Sequence, residues 1–388
     1  DEVKGGDVPE GFQQQELESS GMALSATAMP FKWLFSAVGW TSHLIDMLAP
    51  LGFLGRNKNM QLGWGEDLAQ VLERSDHVLE RVRASAIPQV TWDGEWREMR
   101  AGTGGGRLSI LDPLKRWTFG DDPQREKYRT LMVRDGHFQS PMADLLPDGA
   151  KTVCFRCMLP KLDDAAPPPK ASDDGGIGGI PWGGPVAVHF PATGDEGFSL
   201  RSGFYAEPLA SRDGVASIIL SMSYYGRRRP TAWKGYRGPA RFETISQVLK
   251  MSGSVIEEGA AVVSWIKGSV SKGGLGLTNP VVLTGVSLGG AMSAATAQVT
   301  PSLVAVAPML ASHGAGPVWV APSILSRTVD WHTLCKVPPK LPDSFVRELP
   351  EGVTAEPRVP KEAQNLLLQI LERYANLLKY PPPPPRHP

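Results

Sequence analysis

Three cysteines are all that this 388-residue sequence contains: Cys154, Cys157 and Cys335. So low and odd a count excludes a disulfide framework and fits a reducing compartment. An excess of charge of one sign is missing as well. Lys+Arg and Asp+Glu are each 40, so no overall field draws the chain to nucleic acid or to an acidic surface. Nucleic-acid binding is therefore not expected. Residues 33–54 are rather apolar but hold His43, Asp46 and Pro50, which argues against a spanning helix. Contact with a membrane surface or a protein complex through residues 28–60, or burial against protein, is expected instead. No signal peptide is visible, and the start at Asp1 is expected to reflect processing or trimming.

Signatures for metals and cofactors are equally scarce. Cys154 and Cys157 form a CxxC, but they sit in TVCFRCML, where Val153, Phe155, Cys157 and Leu159 alternate as in a strand. Strand residues three apart point to opposite faces and cannot share a ligand. The glycine-rich AGTGGGR at 101–107 lacks the Lys-Ser/Thr that a phosphate cradle needs. No metal and no cofactor is expected.

What is present is a real core. Apolar residues make up 41% of the chain. Residues 66–82 place Leu68, Val71, Leu72, Val78, Leu79 and Val82 at helical spacing, with His77 beside the stripe. From residue 150 onward, strand patterns at 152–159, 185–190, 215–222, 280–286 and 303–309 alternate with helical ones at 241–267 and 289–299. That alternation predicts a parallel α/β sheet. Residues 161–184, rich in Pro, Gly and Asp, read as a flexible insertion. A Pro-rich stretch beyond residue 337 leads to an amphipathic helix at 361–379 and a polyproline tail. Three segments follow: an extension over 1–60, a main domain over 61–335, and a C-terminal segment over 336–388.

The chemistry centres on GVSLG at 285–289. An apolar strand runs into Ser287, and a helix of small residues leaves it. A nucleophile elbow needs this pattern: the serine occupies a strained turn, and Gly285 and Gly289 let strand and helix approach closely. The N–H of Leu288 then faces a developing oxyanion. A second donor is expected in PATGDEGF at 191–198, from Ala192, Thr193 or Gly194, because Pro191 has no N–H. Arg227, Arg228 and Arg229, interleaved with tyrosines, form either a solvated loop or a contact for an anionic headgroup.

DGHFQSPMADLLPDGAKTVCFRCMLPK (135–161), VHFPATGDEGF (188–198), SMSYYGRRRP (221–230) and GVSLGGAMSA (285–294), in that order, resemble the α/β-hydrolase-domain-containing protein 18 family. LGWGEDL (62–68) and VDWHTL (329–334) extend the likeness to roughly residues 60–335. The resemblance implies an α/β-hydrolase-like, mostly parallel sheet and a serine hydrolase acting on acyl-lipid or other esters. It also implies an organelle, mitochondrion first and plastid as the alternative.

The triad is where the pattern stops. After Ser287 the histidines are His313, His332 and His387, and none follows a strand preceded by an acid-bearing one. His137 and His189 precede the serine and read as structural, His189 ordering the neighbouring loop by hydrogen bonding. The Gly-Gly-His stretch of the family has no counterpart here. Either the acid and base strands lie outside the sequence given, or an internal segment is lost and a silent hydrolase shell serves as an accessory subunit.

Overall fold

The computed structural model describes residues 59–100, 130–161, 182–233, 242–312, 319–320 and 326–376, with side chains to 373. The expectations for residues 1–58, the glycine-rich turn at 101–107, most of the 161–184 insertion, His313 and His387 lie outside these residues. Among them, no helix is long and apolar enough to cross a membrane, and no cluster of His, Cys, Asp and Glu is arranged for a metal.

Seven strands form one sheet: β1 (Thr91–Arg100), β2 (Thr130–Gln139), β3 (Thr152–Pro160), β4 (Val186–Phe190), β5 (Ala216–Leu220), β6 (Val281–Val286) and β7 (Ala305–Met309). Their order is β1-β2-β3-β5-β4-β6-β7. Strands β5, β4, β6 and β7 pair in parallel, while β1 to β3 form an antiparallel meander joined antiparallel to β5. Every residue of β4 and β5 is buried, including His189 and Ser217, as expected of mostly apolar strands covered on both faces.

Strands β1 and β2 escape sequence reasoning for a physical reason. TWDGEWREMR is largely exposed and polar, and TLMVRDGHFQ buries both Arg134 and Asp135. Those charges are tolerated because each has a partner. Arg134 Nε donates to the Gly94 carbonyl at 2.7 Å, and Arg156 grips Asp135 with two bonds at 2.7 and 2.9 Å. Strand β3 separates the cysteines as expected. Cys157 lies in the main core and Cys154 packs on the cluster across the sheet, both as free thiols. Burial pushes both thiols up, so neither is a ready thiolate.

The helical stretch near 66–82 is two helices, α1 (Leu68–Asp76) and α2 (Val78–Ala84), broken at His77. The predicted stripe still faces the core: Leu68, Val71, Leu72, Val78 and Val82 are all buried. Behind Phe190, a helical stretch of Ser199–Arg201, a π turn at Ser202–Ala206 and α3 (Glu207–Asp213) lead back to β5. The central helix α4 (Ile245–Lys267) is capped by Thr244 and buried nearly all round, so its Glu257 and Glu258 need internal partners. Arg81 and Arg228 supply them.

After the elbow come α5 (Leu288–Val299) and, near the C-terminus, α6 (Pro360–Asn376). Leu366, Leu367, Ile370 and Leu371 of α6 join the same core as the sheet. The C-terminal segment is thus packed onto the main body up to α6. Strand β7 is the sheet's outer edge and is almost wholly exposed, with Leu303 at 95% and Leu310 at 88% exposure beside it.

Candidate active site

The strand β6 ends level with its neighbours: Phe190 of β4 pairs with Gly285, and Met309 of β7 pairs with Val286. The chain then turns at Ser287, whose backbone sits at φ 55° and ψ −119°. A non-glycine residue rarely adopts this conformation, which costs of order 1–3 kcal/mol and is held only by its surroundings. Here the Ser287 N–H donates to the Met309 carbonyl at 2.8 Å, and its carbonyl accepts from the Ala291 N–H at 3.1 Å, opening α5. The serine is exposed at the carboxyl edge of the sheet.

The two flanking glycines are sterically required. A Cβ at Gly285 would stand 2.5 Å from the Gly289 carbonyl carbon, and one at Gly289 would stand 2.5 Å from the Phe190 carbonyl oxygen. Both lie below any tolerable contact, so strand, helix and the loop after β4 are pressed together at this point. The first N–H groups of α5, beginning with Leu288, have no intrahelical carbonyl and point where negative charge is favoured.

The loop at 191–198, where a second donor is expected, follows β4 and contains a tight turn. Asp195 N–H closes a turn on the Ala192 carbonyl at 3.1 Å, with Gly194 at φ 82°. Each of the three candidates carries a backbone N–H, that of Gly194 at the left-handed corner of the turn. Ala192 and Thr193 keep theirs free of partners among the described residues. Three residues that sequence reasoning missed, Arg201, Asp195 and Glu196, shape this loop. The buried Arg201 reaches the Asp195 carboxylate and the carbonyls of His189 and Gly197, the latter two at 2.9 and 3.0 Å. Glu196 accepts from Gly226 N–H at 2.6 Å and pairs with Arg229 at 2.6 Å, which joins the loop to the one after β5. No periodic pattern reveals them, because the loop's own turn brings Arg201 onto Asp195 and the fold brings Gly226 and Arg229 to Glu196.

The arginine cluster is corrected. Arg228 is fully buried: it grips Glu258 at 2.6 and 2.7 Å and the carbonyls of Ala150 and Ser221. Arg229 turns to Glu196, and Arg227 is left exposed. A buried guanidinium with its donors already committed cannot reach an outside anion, so the three do not form a headgroup contact.

The histidines are placed as follows. His189 is 2% exposed, with Nε2 at 3.0 Å from Ser217 Oγ. Burial, and then the charge of Arg201, pushes its pKa down to about 3, so the ring is neutral. Its ring bonds to β5 and not to the 191–198 loop, which meets His189 only through the Arg201 bond to its carbonyl, so the expected ordering of that loop by the imidazole is not seen. His137 pairs with Asp93 at 2.8 Å on β2, which lies four strand spacings from β6, roughly 19 Å. His332 is exposed in a short helix, Trp331–Leu334, and His77 pairs with Glu80 at 3.2 Å. Among the described residues, none is hydrogen-bonded to Ser287.

Comparisons with known proteins agree with this architecture. The family model described as "Alpha/beta hydrolase domain containing 18" matches residues 119–365, well over half the chain. Among solved structures, acetyl xylan esterase 1 from Thermoanaerobacterium sp. JW/SL YS485 aligns over 81% of this chain and 75% of its own, at 11% identity and a TM-score of 0.37. An acetyl xylan esterase from Paenibacillus sp. R4 aligns over 66% and 65%, at 13% identity and TM-score 0.31. Brefeldin A esterase, a bacterial homologue of human hormone sensitive lipase, aligns over 84% and 66%, at 14% and 0.29. The chain spans three quarters or less of each. The fold is that of an α/β hydrolase, on the strength of the strand order, the elbow and the family match.

Proposed function

The chain belongs to the alpha/beta hydrolase domain containing 18 family, and from that premise we propose that it is a serine hydrolase of acyl esters with Ser287 as nucleophile. The observation that carries this reading is the backbone of Ser287, strained at φ 55° yet exposed at the strand-to-helix turn. Such strain persists where the fold holds a hydroxyl out toward a substrate.

In the proposed reaction, Ser287 Oγ bonds to the acyl carbon while its proton passes to an imidazole outside the described residues. The negative oxygen of the tetrahedral intermediate accepts from Leu288 N–H and from Ala192 or Thr193 N–H. The C–O bond to the alcohol breaks as the imidazolium returns its proton, and water then hydrolyses the acyl-serine. Exposed Leu310 follows Met309, and half-exposed Leu200 follows the 191–198 loop. Both suit an acyl chain, and lipid esters are the proposed substrates. A mitochondrial location, with plastid as the alternative, is proposed on the family resemblance.

The second reading is a catalytically silent shell acting as an accessory subunit of an organellar complex. The commitment of His189 to Ser217 and of His137 to Asp93 favours it. A fluorophosphonate probe separates the two. Labelling of the full chain that disappears in Ser287→Ala supports the hydrolase. No labelling of correctly folded protein eliminates it. A fluorescent fusion of the full chain, imaged against organelle markers, tests the location.

A further inference from the structure

We propose that Arg201 is a positioning residue that holds the 191–198 loop, and with it the Ala192 and Thr193 N–H groups, against the elbow; the catalytic consequence rests on the reading of Ser287 as nucleophile. Arg201 is 5% exposed and its ion-pair partner Asp195 is 8% exposed, so neither meets a substrate directly. The guanidinium bonds to three points spaced along one short segment. It takes the His189 carbonyl at the end of β4, the Asp195 carboxylate in the turn and the Gly197 carbonyl beyond it. The donor-bearing residues lie between the first two of these anchors.

The loop has little else of its own to fix it. Its internal backbone bond is the turn closed by Asp195 on Ala192, and the Glu196 contacts tie only its far side to the 225–229 segment. On its near side the Phe190 and Pro191 carbonyls rest against Gly289, where there is no slack. Arg201 therefore sets the height of the Ala192–Thr193 backbone relative to Leu288. A planar guanidinium can serve three acceptors in divergent directions at once. An ammonium on a shorter reach cannot. Oxyanion donors act by fixed geometry, so a small displacement lowers turnover without weakening ground-state binding.

The test uses the full chain with a p-nitrophenyl acyl ester, a fluorophosphonate and amide hydrogen exchange, comparing wild type with Arg201→Lys. In Arg201→Lys the hydrogen-bonded amides of Asp195 and Gly197 should exchange roughly tenfold faster while those of β6 and α5 hold. Turnover should fall by about 10- to 100-fold in kcat with KM within about twofold. Unchanged exchange overturns the proposal, as does faster exchange with wild-type kcat. Should wild type neither label nor turn over, the nucleophile reading fails by itself. The exchange arm then upholds or overturns the positioning of the loop. If Arg201→Lys does not fold, Asp195→Asn keeps two of the three anchors and should show the same pattern with smaller changes; wild-type behaviour in it overturns the proposal.

Discussion

Gly289 and Phe190 stand so close that a Cβ built on the glycine would lie 2.5 Å from the Phe190 carbonyl oxygen. The first turn of α5 and the start of the loop after β4 therefore meet without slack, on the near side of the segment that Arg201 anchors. Gly289→Ala must push backbone against backbone, since no flexible side chain is there to yield. The variant should lose about 1–3 kcal/mol of stability. It should also lose most of its fluorophosphonate reactivity while Ser287 remains present. Urea denaturation and labelling rates on one preparation measure both.

The strain at Ser287 makes its own prediction. Alanine keeps the Cβ that φ 55° disfavours, whereas glycine removes it. Both Ser287→Ala and Ser287→Gly should abolish labelling. Of the two, Ser287→Gly should be the more stable, by roughly 1 kcal/mol. Equal stabilities by denaturant titration would contradict a strained elbow.

Arg228 and Glu258, both close to fully buried, are coupled to Ser140 and to the Ala150 carbonyl. Removing one partner leaves the other charge stranded in the core. Arg228→Met should cost about 3–5 kcal/mol, and Glu258→Leu a similar amount. The double variant should lose clearly less than the two combined, with a coupling of at least about 2 kcal/mol in a double-mutant cycle. Additive losses would mean that the two charges do not stabilise one another.

His189 predicts a pH dependence whose sign is fixed. Its pKa is pushed down to about 3 by burial and by Arg201, whereas the unfolded chain has the ordinary value near 6.5. Between those values the unfolded state binds the extra proton, so stability rises with pH. The contribution is complete above pH 6.5 and is lost as pH falls toward 3, at about 1.4 kcal/mol per pH unit. His189→Gln, which keeps a donor and an acceptor for Ser217, should flatten that part of the profile. Denaturation midpoints at pH 7.5, 6 and 5 for the two proteins provide the comparison.

The elbow was legible because its causes are local. Val281–Val286, the two glycines and the small residues of α5 are consecutive in sequence, and close strand-to-helix approach demands small side chains just there. The buried strands β4, β5 and β6 were legible for the same reason, being nearly continuous apolar runs broken only by His189, Ser217 and Thr284-Gly285. Strand β2 was not, because Arg134 and Asp135 look like surface residues until Gly94 and Arg156 are brought beside them.

By itself, the amino-acid order determined a serine at a tight turn between a buried strand and a small-residue helix, on a sheet of alternating strands and helices. Tertiary structure decided which loop meets the elbow, that Arg228 points inward, and that Arg201 ties down the loop. The division has a simple origin. Sterics and hydrophobic periodicity act between neighbours along the chain and leave a mark in the sequence. The partner of a buried charge depends on the folded path of the chain, whether it joins distant segments, as for Arg228 with Ala150 and Glu258, or folds a loop back on itself, as for Arg201 with His189 and Asp195.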